Sequence, residues 1–321
     1  MAETVVVVLG DPLDPSLRLL KEAPPGVRFH VSLELAPLAD LAGEAEAIFC
    51  STTEPEKLAR LLDLSPRVRW IHTRWAGLEN ALLPEIRSST AILTNSRGVY
   101  SAALGEYVLG AILFFAKDLR RMVRSQEKGL WDVFDVDMVQ GATLGIVGYG
   151  DIGKAIAVRA RAFGMRILAL RRSGAPPSDS LVGEFVPKDR LADLMAASDY
   201  VAVALPLTEE TRGFVDKRSL TAMKKTAVLV NVGRGPVVDE AALLSALEGK
   251  SIRGAALDVF VDEPLPAGHA FYRLGNVLLS AHCADHTRSW RDDAVRLFLE
   301  NLKLFLASAP LRNVIDKTRG Y

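Results

Sequence analysis

The stretch that most restricts the fold runs over residues 143–147, an apolar segment that passes directly into Gly148-Tyr149-Gly150-Asp151-Ile152-Gly153 and then into helix-forming residues 154–163. Glycines at this spacing, held between a strand and a helix, let the backbone approach a pyrophosphate at the helix N-terminus. The same glycines would also serve a tight strand-helix turn that binds nothing, but the flanking strand and helix favour a dinucleotide. Around the turn, the pattern predicts strands over 143–147, 166–170, 200–204, 227–231, 254–257 and 277–280 with helices between them. Six strands alternating with helices describe an α/β, doubly wound parallel sheet.

A chain of 321 residues exceeds one core of ordinary size, so two domains are expected. Before the glycine turn, apolar runs at 5–9, 47–50, 68–72 and 91–94 alternate with helix-period segments such as 56–62. This is a second βαβ pattern and a second parallel sheet. A long helix is predicted over 102–128, with Gly129 as its stop, and a last amphipathic helix over 287–307. The final segment would return the chain to the first sheet. The expected division is therefore residues 1–100 with 287–321 as one discontinuous domain and 101–286 as the dinucleotide-binding domain, with a cleft between them.

Lys plus Arg and Asp plus Glu each number 39, so no net field attracts nucleic acid or an anionic membrane. Only Cys50 and Cys283 are present, which points away from a disulfide framework and toward a reducing compartment. A cytoplasmic location is expected, with an organellar one after loss of a transit peptide left open. The run Val5 to Leu9 reads as a buried strand and not a signal peptide. The histidines form no spacing that suits a metal, so none is expected.

The strand ending near Leu170 should finish on the residue that reads the adenosine ribose, normally Asp or Glu for NAD. Here the chain has Arg171-Arg172-Ser173. Forked guanidinium donors match a 2′-phosphate, so NADP(H) is the expected cofactor, with NAD(H) as the other possibility; a solvated arginine pair at a strand end is the plainer reading.

Three residues past predicted strands carry candidate chemistry. Arg234, in Asn231-Val232-Gly233-Arg234-Gly235-Pro236, lies where open α/β sheets bind ligands and can grip an oxo acid bidentately; taken alone it serves a surface ion pair equally well. His282 has the side chain suited to proton transfer near neutrality. Glu263 is a carboxylate that would favour and orient its imidazolium.

With these residues in hand, the chain resembles the D-isomer-specific 2-hydroxyacid dehydrogenases over nearly its whole length. The resemblance rests on the glycine turn, Leu205-Pro206-Leu207-Thr208, residues 231–240, Asp258 to Pro264 and the histidine block. It implies a Rossmann cofactor domain with a smaller flavodoxin-like substrate domain. It further implies that Arg234 binds and polarises a 2-oxo acid, that His282 donates the proton and that Glu263 tunes it. Asp258 would contact the nicotinamide amide, while Leu205, Pro206, Thr211, Val232, Gly233 and Ala284 would line the cofactor. The loop Arg74-Trp75-Ala76-Gly77 would offer backbone amides to the substrate carboxylate. Beside what the resemblance implies, Arg288 near the start of the last helix is a candidate second cation, with a solvated arginine as the plainer reading. Trp75 stands where a small residue is common, and either covers the substrate or packs at the hinge. Cys283-Ala284-Asp285 stands where the family usually has a small, often glycine-containing segment, a departure that bears on the cofactor contacts there.

The implied activity is NADPH-dependent reduction of a small, glyoxylate- or hydroxypyruvate-like 2-oxo acid by a homodimer; the apolar groups of Gly129-Leu130-Trp131 either join its interface or pack Trp131 into the core. The alternatives are an NAD-dependent dehydrogenase of a bulkier D-2-hydroxy acid and a cofactor-sensing, corepressor-like binding protein.

Overall fold

The computed structural model describes residues 3–171 and 179–320. The chain divides into two compact units, Met1–Tyr100 with Thr287–Tyr321, and Ser101–His286.

The first unit is a five-stranded parallel sheet of β1 (Thr4–Leu9), β2 (Val27–Ser32), β3 (Ala45–Cys50), β4 (Trp70–Thr73) and β5 (Ile92–Asn95), in the order β2-β1-β3-β4-β5. Helices α1 (Ala36–Ala42), α2 (Pro55–Asp63) and α3 (Pro84–Ser88) connect its strands. The Val-rich β1 has both faces covered, as an interior parallel strand must. Val5, Val7 and Leu9 pack with Leu38, Leu58 and Ile86 on one side, whereas Val6 and Val8 pack with Phe49, Trp70 and Phe298 on the other.

Phe298 comes from the C-terminal helix, Trp290–Leu306. It is wholly buried, stacked 4.4 Å from Phe49 and 5.2 Å from Trp70 between ring centroids. Beyond that helix the Ile315 amide donates to the Leu93 carbonyl at 2.9 Å, fastening the tail to β5. The last segment belongs to the first sheet because it supplies the apolar cover for one of its faces.

The second unit opens with α4 (Ser101–Ala116) and α5 (Leu119–Glu127). One continuous helix was expected here. The break falls at Asp118, which takes left-handed backbone (φ 47°) and uses its carboxylate to cap α5 through the Arg121 amide; a local side-chain bond replaces the helical one. Gly129, at φ 63°, follows the end of α5.

A seven-stranded parallel sheet follows. It comprises β6 (Thr143–Val147), α6 (Asp151–Ala162), β7 (Arg166–Arg171), β8 (Glu184–Pro187), α7 (Leu191–Ala197), β9 (Tyr200–Val203), α8 (Lys217–Ala222), β10 (Val228–Asn231), α9 (Glu240–Glu248), β11 (Gly254–Leu257) and β12 (Val277–Leu279). The order β12-β11-β10-β9-β6-β7-β8 reverses direction between β6 and β9, the switch point where such sheets bind ligands beyond the carboxyl ends of their strands. Among the described residues no helix is long and apolar enough to cross a membrane, and no group of three His, Cys, Asp or Glu side chains is placed to hold a metal.

Candidate active site

In the second unit Arg234 follows β10, Asp258 to Glu263 follow β11, and His282 follows β12. These strands are consecutive neighbours in the sheet, so residues far apart in sequence converge at one carboxyl edge. Leu205 and Pro206 follow β9, the glycine turn follows β6 and Arg171 ends β7. The candidate residues of this unit thus lie along one row of strand ends.

His282 Nδ1 and Glu263 Oε2 lie 2.7 Å apart, and the other Glu263 oxygen accepts the Phe260 amide at 2.9 Å. The carboxylate is therefore held before it meets the ring. Its hydrogen bond and charge raise the His282 pKa, against opposing effects of burial and Arg234. For Glu263, burial pushes the pKa up, but the bonds from His282 and the Phe260 amide outweigh it and the pKa is lowered. Both shifts favour an imidazolium-carboxylate pair, in which Nε2 is the ring's second N–H donor.

The backbone at His282 is left-handed, φ 50°. Its amide donates to the Asp258 carbonyl at 2.9 Å, while the Cys283 and Ala284 amides donate to Asp258 Oδ1 at 3.0 and 3.1 Å. That same oxygen accepts the Ser280 hydroxyl at 2.6 Å, and Ser280 Oγ lies 2.9 Å from the Tyr107 hydroxyl of α4. Asp258, only 1% exposed, holds the histidine loop in an uncommon conformation that a side chain adopts only when its surroundings enforce it. Sequence reading missed Ser280 and Tyr107: a serine after a strand and a tyrosine in an apolar helix carry no local signal of this role.

Arg234 sits between two glycines for a steric reason. A Cβ on Gly235 would lie 2.0 Å from the Phe260 carbonyl, and one on Gly233 2.6 Å from the Leu205 carbonyl. The arginine loop is thus wedged between the β9 and β11 loops. Arg234 is half-buried, donates to the Gly233 carbonyl at 2.7 Å, and its charge acts on both His282 and Glu263.

The glycine turn has the shape a pyrophosphate cradle needs. Gly148 is at φ 106°, and a Cβ on Gly153 would stand 2.3 Å from the Gly148 carbonyl. Gly150 begins α6 without a side-chain cap, so the first-turn amides at Ile152 and Gly153 have no helical acceptor. The Tyr149 hydroxyl donates to Asp179 at 2.8 Å, leaving the backbone of that residue as its offering. Thr211 Oγ1 bonds the Pro206 carbonyl at 2.6 Å and bridges to Thr208, stiffening the loop after β9. Val232 is buried against the core, Ala284 is half-buried and Arg171 is exposed. Arg172 and Ser173 lie outside the described residues.

Trp75, Ala76 and Gly77 lie in the first unit, in the loop after β4, and Arg288 is exposed just ahead of the C-terminal helix. The Trp75 indole packs on Trp290 at 5.4 Å, and its Nε1 is buried without a partner. The carbonyls of Arg74, Trp75 and Ala76 accept from the Tyr100 hydroxyl (2.6 Å), the Ser96 amide (3.3 Å) and Asn95 Nδ2 (2.7 Å). Among the described residues the Ala76 and Gly77 amides donate to nothing. Adjacent unpaired amides of this kind suit an anion.

Residues 109–284 match the family model for the NAD binding domain of D-isomer specific 2-hydroxyacid dehydrogenases. A glyoxylate reductase of Korarchaeum cryptofilum is 34% identical over 283 residues, covering 85% of this chain and 83% of the relative. A D-isomer specific 2-hydroxyacid dehydrogenase family protein of Aeromonas salmonicida superposes with a TM-score of 0.86 at 29% identity, over 98% of this chain and 100% of its own. A D-isomer specific 2-hydroxyacid dehydrogenase of Xanthobacter autotrophicus, solved with NADPH and MES, gives a TM-score of 0.84 at 28% identity over the whole of both chains. The chain is an NAD(P)-dependent oxidoreductase and belongs to the D-isomer specific 2-hydroxyacid dehydrogenase family.

Proposed function

We propose that the chain reduces a small 2-oxo acid of the glyoxylate or hydroxypyruvate kind to the D-2-hydroxy acid with NADPH. The observation that carries this reading is the 2.7 Å His282–Glu263 pair beside Arg234. The pair is a proton donor with a built-in counter-charge, next to a cation able to take a carboxylate or a polarised carbonyl. The glyoxylate reductase named among its relatives supports the substrate class.

The cofactor fits the residues present. The glycine turn leaves no room for a Cβ at Gly148 or Gly153, the α6 N-terminus suits a pyrophosphate, and Arg171 ends β7 where a 2′-phosphate would be read. NADPH in the Xanthobacter autotrophicus neighbour supports the same preference. When bound, the reduced nicotinamide supplies hydride to the carbonyl carbon. Arg234 holds the oxo acid and draws charge toward the carbonyl oxygen. The amides of Ala76 and Gly77 take the carboxylate, and His282 Nε2 gives its proton to the oxygen as negative charge develops there. Glu263 keeps the ring protonated beforehand and oriented throughout. In this reading residues 101–286 bind the dinucleotide, and residues 1–100 with 287–321 present the substrate loop.

We also propose a homodimer. Trp131 is 96% exposed, and Leu130 and Val133, close to it in sequence, are exposed as well; a run of large apolar side chains in water marks an interaction surface.

Cofactor oxidation across a panel of 2-oxo acids, with NADPH and NADH in parallel, tests the reading. Glyoxylate or hydroxypyruvate should give the highest kcat/KM, and NADPH should exceed NADH. A clear NADH preference would overturn the coenzyme assignment, and failure with every 2-oxo acid would overturn the activity.

A further inference from the structure

We propose that the buried ion pair of Asp14 and Arg74 is a positioning device that aims the Ala76 and Gly77 amides at the substrate carboxylate. The inference rests on the reading above that this loop receives the carboxylate.

Arg74 immediately precedes the loop, and its side chain is 3% exposed; that of Asp14 is 10% exposed. One guanidinium nitrogen donates to Asp14 Oδ2 and the other to Ser16 Oγ at 3.1 Å, while the group lies 5.6 Å over the Phe49 ring. The Asp14 carboxylate is itself fixed, accepting the Ser16 amide at 2.9 Å and the Ser16 hydroxyl at 2.7 Å as the cap of the short 3-10 helix Pro15–Glu22. Burial pushes its pKa up, but the bonds from Arg74 and Ser16 outweigh this and hold it below the ordinary range. Burying two charges is costly, and apolar residues of similar volume often fill such a space at least as stably. What the pair adds is direction, because a planar guanidinium that gives one nitrogen to a fixed carboxylate and the other to the serine bonded to that carboxylate has one orientation.

That direction is passed to the loop. The Arg74 carbonyl accepts from Tyr100, the Trp75 carbonyl from the Ser96 amide and the Ala76 carbonyl from Asn95. In a planar trans peptide the C=O and the following N–H point opposite ways. Tying the Trp75 and Ala76 carbonyls inward therefore turns the Ala76 and Gly77 N–H groups outward. Arg74 anchors the start of this ring of bonds to the loop after β1, 60 residues earlier.

The test is steady-state kinetics of Asp14→Asn, which keeps the shape and removes the charge, read beside NADPH affinity and thermal stability. Displacing two amides weakens a carboxylate contact made in the ground state and the transition state alike, so KM should rise with kcat little changed. A loop shift approaching 1 Å predicts a KM for the 2-oxo acid raised about 10- to 100-fold, kcat within about twofold and NADPH affinity unchanged. Arg74→Lys, which keeps the charge but loses the fork, should give the same split. Should either variant fail to fold, Ser16→Ala removes a hydroxyl shared by both partners, leaves the ion pair, and should raise KM about threefold, an increment typical of one modest hydrogen bond. Lower thermal stability with KM unchanged, or a fall in kcat alone, would refute the positioning role. A wild-type protein inert toward every 2-oxo acid would instead refute the reading of function on which it rests.

Discussion

Replacing Glu263 with Gln removes the charge that faces His282 while keeping an acceptor for Nδ1–H. A charge-assisted hydrogen bond contributes about 1.5–3 kcal/mol. The two side chains are 40% and 35% exposed, so water screens the pair and a net loss of about 1 kcal/mol is the better expectation. That is a factor of about five in the protonation equilibrium of the ring. The sign follows from the shifts. The native His282 pKa is raised by Glu263, so the proton-donating form persists to higher pH than in a free imidazole, and reduction falls as pH rises through the raised value. In the variant this alkaline limb should move to lower pH, with rates converging on wild type on the acid side. Stability follows the same linkage. The histidine's share is full below the ordinary imidazole value and is lost as pH rises through the raised one. The glutamate's share is full above the ordinary carboxylate value and is lost as pH falls through the lowered one. The variant's deficit should therefore be greatest between those limits. The assay is kcat/KM for 2-oxo acid reduction against pH, and a limb that stays in place or moves upward would refute the coupling.

Two further substitutions probe the scaffold. Gly153→Ala sets a Cβ 2.3 Å from the Gly148 carbonyl, so calorimetric NADPH affinity should fall at least about tenfold, as expected when phosphate-binding backbone is pushed aside. Phe298→Ala empties the ring sandwiched between Phe49 and Trp70 and should cost about 3–5 kcal/mol in denaturant unfolding, with NADPH affinity of the folded protein retained.

The sequence revealed most where local pattern and position coincide. The glycine turn announced itself because strand, turn and helix are contiguous, and Arg234, Glu263 and His282 could be grouped because each follows a strand. Their meeting at one edge, however, comes from the neighbouring order of β10, β11 and β12, which no local pattern encodes. β2 was missed because Val27–Ser32 mixes Arg28, His30 and Ser32 into a half-buried edge strand. β8 was missed because Glu184–Pro187 is four residues long and sits at the other edge. The Asp118 break was hidden by helix-forming residues on both sides, and the Asp14–Arg74 pair by its separation in sequence. Trp75, for which two roles were open, packs on Trp290 within the first unit.

The most direct test of the central claim is the rate of NADPH consumption with glyoxylate or hydroxypyruvate, compared between the wild-type protein and His282→Ala at equal cofactor occupancy. General acid catalysis contributes about 10²–10⁴-fold, so the variant should bind NADPH normally and lose turnover by that order. Equal turnover in the two proteins would contradict the assignment of His282 as the proton donor.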